Sequence, residues 1–147
     1  MINMGVIGCG YWGPNLIRNI NSSSKVNLKW VCDLDELKLN RIGSLYKNVK
    51  KTKDVDELLD DPLVDAVAIA TPVNTHYHLA KKSLDKYKHV LIEKPISSTS
   101  VEAEKLISIA KKNNLSLMCD HTYCYSSAIR KIKNIIDDDV IGKILYY

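Results

Sequence analysis

Chemistry is concentrated at the start of this chain, where Gly8-Cys9-Gly10-Tyr11-Trp12-Gly13 follows the apolar run Ile2–Ile7 and leads into Pro14-Asn15-Leu16. A strand, a Gly-x-Gly-x-x-Gly turn and a helix, in that order, make a phosphate-binding turn. Gly8 lets the chain turn sharply off the strand, Gly10 leaves the backbone open to a pyrophosphate, and Gly13 lets helix and strand pack closely. Pro14 suits the first helical turn, where its missing N–H has no intrahelical partner to lose. The free N–H groups and the positive end of the helix dipole then face the phosphates. A second strand, Val26–Cys32, ends in Asp33, twenty residues beyond Gly13. That is the position from which a carboxylate accepts hydrogen bonds from an adenosine ribose. The residues from Gly8 to Gly13, with Asp33 and Leu34, are therefore the predicted cofactor end of a dinucleotide site.

The elements that must hold these residues alternate in type. Asn15–Ile20 reads as a short helix with Leu16, Ile17 and Ile20 on one face, and Asp35 to about Tyr46 as a Lys-rich amphipathic helix with Leu37, Leu39 and Leu45. Val49–Thr52 is a weak peripheral strand, and Asp54–Glu57 a capping box for a helix that Pro62 stops. Asp65–Ala70 is a continuous apolar run suited to a strand buried on both faces. It ends at Thr71-Pro72, and Asn74 or Thr75 can cap the helix that follows, to about Lys88. His89–Ile92 is another buried strand, ending at Glu93-Lys94-Pro95. Thr99–Glu102 is a second capping box, Leu115–Met118 a further strand before Asp120-His121-Thr122-Tyr123, and Ser127–Ile136 a last helix. Such alternation predicts an α/β fold of Rossmann type: a doubly wound, mainly parallel sheet with helices on both faces. In these sheets ligands bind beyond the carboxyl ends of the strands, so all five strand-end clusters should converge on one crevice. His121 and Tyr123, at one such end, are candidate substrate contacts. Val140–Tyr147 reads as a turn entering a new strand. The expected division is a dinucleotide-binding domain at 1–139 and the start of a truncated second domain at 140–147.

Bulk properties narrow the function classes. The chain has 147 residues, 46% of them hydrophobic and 26% charged, the profile of an ordinary soluble globular chain. No apolar run is long enough for a membrane span. Met1 leads straight into the first strand, leaving no room for a signal peptide, so the cytoplasm is the expected compartment. The net charge of +4 comes from lysines scattered among acids, which describes a solvated surface and not a nucleic-acid stripe. The four cysteines, Cys9, Cys32, Cys119 and Cys124, form no C-x-x-C pair and no zinc spacing. No metal site is expected, and all four read as reduced thiols.

Taken together, Gly8–Leu16, Ala70-Thr71-Pro72 with His76, Glu93-Lys94-Pro95, His121–Tyr125, Ala128–Lys133 and Gly142–Tyr146 resemble the Gfo/Idh/MocA oxidoreductases. The resemblance covers the whole chain but only the amino-terminal half of a family member. It implies an NAD(P)-dependent oxidoreductase acting on a sugar, polyol or nucleotide-sugar hydroxyl, homo-oligomeric in its full-length form. It assigns Lys94 to the reacting hydroxyl or carbonyl as the catalytic residue, and Glu93, Lys94, Pro95, Thr71, Pro72 and His76 to the cofactor pocket. It also implies a cis Lys94-Pro95 peptide. The ammonium of Lys94 can donate to an alkoxide that develops as hydride leaves carbon. Asp33 repels a 2′-phosphate and accepts from a 2′-hydroxyl, and Leu34-Asp35-Glu36 offers no arginine, so NAD is favoured over NADP. Lys38 is the one nearby cation. The family's carboxyl-terminal domain, with its base-catalytic acidic residue and histidine, has no counterpart here, so this chain should bind dinucleotide without a complete active site. A second reading stays open: a stand-alone dinucleotide-binding module that senses redox state or serves a larger assembly.

Overall fold

The computed structural model describes residues 1–146. The strands are β1 (Ile2–Ile7), β2 (Val26–Cys32), β3 (Lys50–Thr52), β4 (Ala66–Ile69), β5 (His89–Glu93) and β6 (Leu117–Asp120). The helices are α1 (Gly13–Ser22), α2 (Glu36–Leu45), α3 (Val55–Asp60), α4 (Val73–Asp85), α5 (Ser100–Lys112) and α6 (Ser127–Asp137). The strands form one sheet in the order β3-β2-β1-β4-β5-β6, and every pairing is parallel. This is the doubly wound order of dinucleotide-binding folds. Its switch point lies between β1 and β4, and a crevice opens there at the carboxyl ends of the strands.

Apolar side chains leave the central strands on both sides. One core layer packs Leu16, Ile17 and Ile20 of α1 and Leu39 and Ile42 of α2 against Val6, Val31 and Ala68. The other packs Leu58 and Leu59 of α3, Ala80 and Leu84 of α4 and Leu106 and Ala110 of α5 against Ile7, Val67, Ile69, Val90 and Ile92. All four residues of β4 are buried, as its unalternated run requires of a strand covered on both faces.

Local chemistry departs from the sequence expectation in several places. In α2, Leu37 and Leu45 are exposed and Leu39 and Ile42 make the buried face. Helical spacing selects 39 and 42, one turn apart, and leaves 37 and 45 on the flanks. Asp54 caps α3 through the Asp56 N–H at 2.9 Å, but the reciprocal arm of the expected box is missing. Glu57 instead accepts from the Thr52 hydroxyl at 2.5 Å, tying α3 to the end of β3. No side chain caps α4, which starts at Val73 behind Pro72. The Thr75 hydroxyl donates back to the Pro72 carbonyl at 2.7 Å. The second box, Thr99 with Glu102, forms with both arms. β6 begins two residues later than expected, because the Leu115 N–H closes the end of α5 on the Ala110 carbonyl at 2.8 Å. The Ser116 N–H is likewise taken by Nδ1 of His89 at 2.9 Å.

After β6 the chain makes a 3-10 turn over Thr122–Tyr125 and enters α6, which buries none of its residues. Ile129, Ile132 and Ile136 form an exposed apolar ridge along it. Residues 140–146 make turn and irregular chain, with Ile144, Leu145 and Tyr146 exposed. The strand expected there extends to Tyr147, which lies outside the described residues.

Candidate functional site

The glycine turn is built by three different constraints. Gly8 has φ +101°, a region that costs glycine little. A Cβ there would meet the Ala70 carbonyl group at 2.7 Å, so the turn lies flat against the end of β4. A Cβ on Gly13 would strike the Gly8 carbonyl oxygen, which seats α1 directly on the turn. At Gly10 a Cβ would meet nothing within 4 Å. The backbone is open there, where a ligand would approach. No side chain caps α1, and Pro14 occupies its first turn. The positive end of its dipole is thus left for an anion. Tyr11 and Trp12 are exposed beside it with their rings stacked, centroids 6.4 Å apart.

Asp33, just past β2, is tied to this turn. Its Oδ2 accepts from the Cys9 N–H at 2.6 Å and its Oδ1 from the Asp35 N–H at 2.9 Å. Lys38 lies 3.8 Å from the same carboxylate. Cys9 contributes its backbone to the turn, while its thiol is turned into the core. Burial, and then the Asp33 charge, push that thiol up to about 12. Burial and the same carboxylate push Cys32 up to about 11. Both thiols therefore behave as small apolar groups.

The far side of the crevice is formed by the ends of β4 and β5. The Thr71 and Thr75 hydroxyls are 2.7 Å apart. His76 is buried, with Nε2 2.8 Å from the Thr71 carbonyl oxygen and Nδ1 2.8 Å from that of Pro95. The Lys94-Pro95 peptide is cis. Lys94 is exposed and takes part in none of the ion pairs among the described residues. Glu93 pairs in register with Asp120 of β6. Burial, and then the Asp120 charge, hold the Glu93 carboxyl above the usual carboxylate range. Its Oε1 is buried without a hydrogen-bond partner.

These ends share one cleft of about 1330 Å³. It runs from Asp33, Leu34, Lys38 and Lys53 past Gly8, Gly10, Tyr11 and Trp12 to Thr71, Pro72, Glu93, Lys94, Thr122 and Tyr123. Pockets for compact ligands hold roughly 300–1,000 Å³, so this one suits an elongated molecule. The residues fit a dinucleotide: an open backbone turn, an uncapped helix start, and an orphaned carboxyl oxygen on the wall that a ligand hydroxyl or amide could satisfy. All five strand-end clusters reach the cleft. Of the residues singled out in the sequence, Cys9, Gly13, His76, Pro95 and His121 do not line it: the first four support it from behind and His121 flanks Thr122. Lys53, Asn74 and His78 also line it; the sequence offers Asn74 only as a helix cap and the other two in no site role. Asn74 and His78, four apart on α4, share a helix face, a signal that was readable once Thr71-Pro72 was placed at the cleft. Among the described residues no helix is long and apolar enough to cross a membrane.

Fold and cleft together define a Rossmann-type dinucleotide-binding domain. The chain belongs to the Gfo/Idh/MocA oxidoreductase family, whose NAD-binding Rossmann-fold model matches residues 2–121. It is 30% identical to a myo-inositol 2-dehydrogenase of Thermotoga maritima over 142 residues, which are 97% of this chain and 42% of that protein. Among solved structures it resembles a 3-ketoreductase from Actinomadura kijaniata in complex with NADP and TDP-benzene. The TM-score is 0.88 at 25% identity, over 97% of this chain and 44% of the other. It also resembles GenD2 of gentamicin A biosynthesis in complex with NAD, with a TM-score of 0.89 at 25% identity, over 94% of this chain and 39% of the other. The chain spans about two fifths of the length of the curated relatives it matches.

Proposed function

We propose that this chain is the cofactor half of an NAD-dependent dehydrogenase acting on a secondary hydroxyl or ketone of a sugar, polyol or nucleotide sugar. The observation that carries this reading is Lys94, an exposed cation at the end of β5 on the wall of the cleft that opens at Gly10. When bound, the nicotinamide dinucleotide supplies the hydride acceptor or donor. The chain's own residues do the rest. Gly8–Gly13 and the start of α1 hold the diphosphate, and Asp33 with Leu34 takes the adenosine ribose, the Asp33 charge favouring NAD over NADP. Thr71, Pro72 and Glu93 frame the other end, with Pro95 and His76 behind them. The Lys94 ammonium donates to the substrate oxygen and stabilises negative charge there. Tyr123 on the cleft and His121 beside it contact the substrate.

The myo-inositol dehydrogenase and the 3-ketoreductase among its relatives support a sugar-type substrate. Because those relatives are more than twice as long, we assign the remaining substrate contacts and the acid–base residue to a further domain beginning at about 140. The apolar ridge of α6 and the exposed Ile144–Tyr146 are surface for such a domain to cover. A self-contained binding module would hide them. The full-length protein is read as a cytoplasmic homo-oligomer.

The test is calorimetry with NADH and NADPH, together with a turnover assay on inositols and nucleotide sugars. The expected result for the 147-residue chain is dinucleotide binding, NADH tighter than NADPH, without appreciable turnover. Substantial turnover by this chain alone would contradict the half-enzyme reading.

A further inference from the structure

His76 stands behind the cleft and not in it. Its side chain is 1% exposed, yet it touches both loops that form the Thr71–Lys94 side of the wall. The β4–β5 ladder runs only as far as Ile69 opposite Ile92. Beyond that pair the two chains diverge, Thr71-Pro72 into α4 and Lys94-Pro95 toward α5. Among the described residues no backbone hydrogen bond joins the two loops past the strands.

The Thr71-Pro72 loop has its own ties to α4 through the Thr75 hydroxyl, 2.7 Å from both the Thr71 hydroxyl and the Pro72 carbonyl. The Pro95 carbonyl is reached from α4 by Nδ1 of His76 at 2.8 Å, while Nε2 holds the Thr71 carbonyl at 2.8 Å. A carbonyl oxygen only accepts, so a contact is a hydrogen bond where its ring nitrogen carries hydrogen: a singly protonated ring donates to one of the two carbonyls and packs against the other, and only a doubly protonated ring donates to both. The imidazole is a flat, stiff spacer with one polar atom toward each loop, shut off from solvent.

We propose that His76 is a positioning residue that sets the gap between the Thr71-Pro72 and Glu93-Lys94-Pro95 loops. Through that gap it shapes the nicotinamide half of the cleft without touching the ligand. This rests on the cleft being a dinucleotide site with its adenosine end at Asp33. The adenosine and diphosphate half is built on β1, β2 and the glycine turn, whose hydrogen bonds do not involve His76. His76 therefore governs one half of the ligand and leaves the other alone, a division that mere support of the fold does not produce.

The experiment is calorimetric titration of the 147-residue chain with ADP and with NADH, for the native protein, His76→Ala and His76→Gln. The glutamine amide can reach one of the two carbonyls, so it should restore part of the tie. The expected result is unchanged ADP affinity in both variants and NADH affinity lowered about tenfold in His76→Ala, the scale of one or two buried hydrogen bonds. His76→Gln should fall between. Equal weakening of ADP and NADH would overturn the proposal by making His76 a support of the whole fold, and so would unchanged NADH affinity. Should His76→Ala fail to fold, His76→Gln carries the same comparison. Native protein that binds NADH no tighter than ADP would remove the underlying reading of the cleft, seen before any variant is compared.

Discussion

The Asp33 carboxylate accepts a hydrogen bond from the Cys9 N–H at 2.6 Å, joining two strand ends that are 24 residues apart in the chain. One oxygen thus fixes the glycine turn, while the charge of the same group lines the end of the cleft proposed for the adenosine. Asp33→Asn keeps the size and removes the charge, its single amide oxygen retaining one of the two N–H contacts. The NADH-over-NADPH affinity ratio is expected to shrink by about tenfold, or ~1.4 kcal/mol, as repulsion of the 2′-phosphate is lost. Competitive titration of the two cofactors checks this; an unchanged ratio would place the discrimination elsewhere, with Lys38 and Lys53 the next residues to replace. Asp33→Ala additionally frees the Cys9 and Asp35 N–H groups, and is expected to cost about 1.5–3 kcal/mol of stability in denaturant unfolding.

Gly10 and Gly13 separate binding from folding. A Cβ at Gly10 projects into open space, so Gly10→Ala is expected to melt like the native protein and to bind NADH markedly more weakly, because the methyl occupies the approach to the diphosphate. A Cβ at Gly13 drives into the Gly8 carbonyl, so Gly13→Ala is expected to lower stability by ~1–3 kcal/mol or more. Thermal melts and calorimetry on the two variants give opposite patterns if the turn is built as described.

The order of strands and helices was legible because β4 and Val90–Ile92 of β5 are continuous apolar runs and each strand's carboxyl end carries a turn residue or an acid. Those signals depend only on neighbours in the chain. Three things were not legible. Whether Leu37 or Ile42 faces the core depends on which side of α2 meets β2, and that is a tertiary matter. Glu57 matched a capping spacing but found a better acceptor role with Thr52, across an element boundary. Resemblance assigns His76 to the cofactor pocket, whereas its position behind the wall follows from its contacts with the Thr71 and Pro95 carbonyls, which no spacing in the chain announces. Local rules named the residues, and packing decided which way they point.

Glu93 makes stability depend on pH in a specific direction. Its folded-state value is raised by burial and by Asp120, so the folded protein holds this proton more tightly than the unfolded chain does. The group's favourable contribution is complete below the ordinary glutamate value and is lost as pH rises through the raised one. Glu93→Gln removes the cost of ionising a buried carboxyl. The variant is expected to melt above the native protein at pH 7, with the difference closing as pH falls below the usual carboxylate range. Melting curves of both proteins between pH 4 and pH 8 would show it, and a difference independent of pH would contradict it.

Thiol labelling reads the core directly. Cys124 is exposed, and Cys9 and Cys32 are buried with values near 12 and 11. At pH 8 iodoacetamide is expected to alkylate Cys124 first and Cys119 more slowly. Cys9 and Cys32 should stay unmodified until the protein is unfolded, because the reagent needs an accessible thiolate. Peptide mass spectrometry gives the order, and early labelling of Cys9 would mean that the glycine turn opens in solution.

As the proposed proton donor, Lys94 should separate holding a dinucleotide from using it. The ammonium lies at the end of β5 with no ion-pair partner among the described residues, so removing it unpairs no buried acid. In the 147-residue chain, Lys94→Ala is expected to keep its melting temperature and to bind NADH within about twofold of native, a few tenths of a kcal/mol. In a chain extended to the length of its relatives, the same change is expected to lower kcat by about 10²–10⁴, the range for a positioned proton donor. Lys94→Arg keeps the charge but not the compact ammonium, so it should recover little of that loss. An extended enzyme whose kcat ignored Lys94 would leave the substrate oxygen to be polarised by the second domain alone.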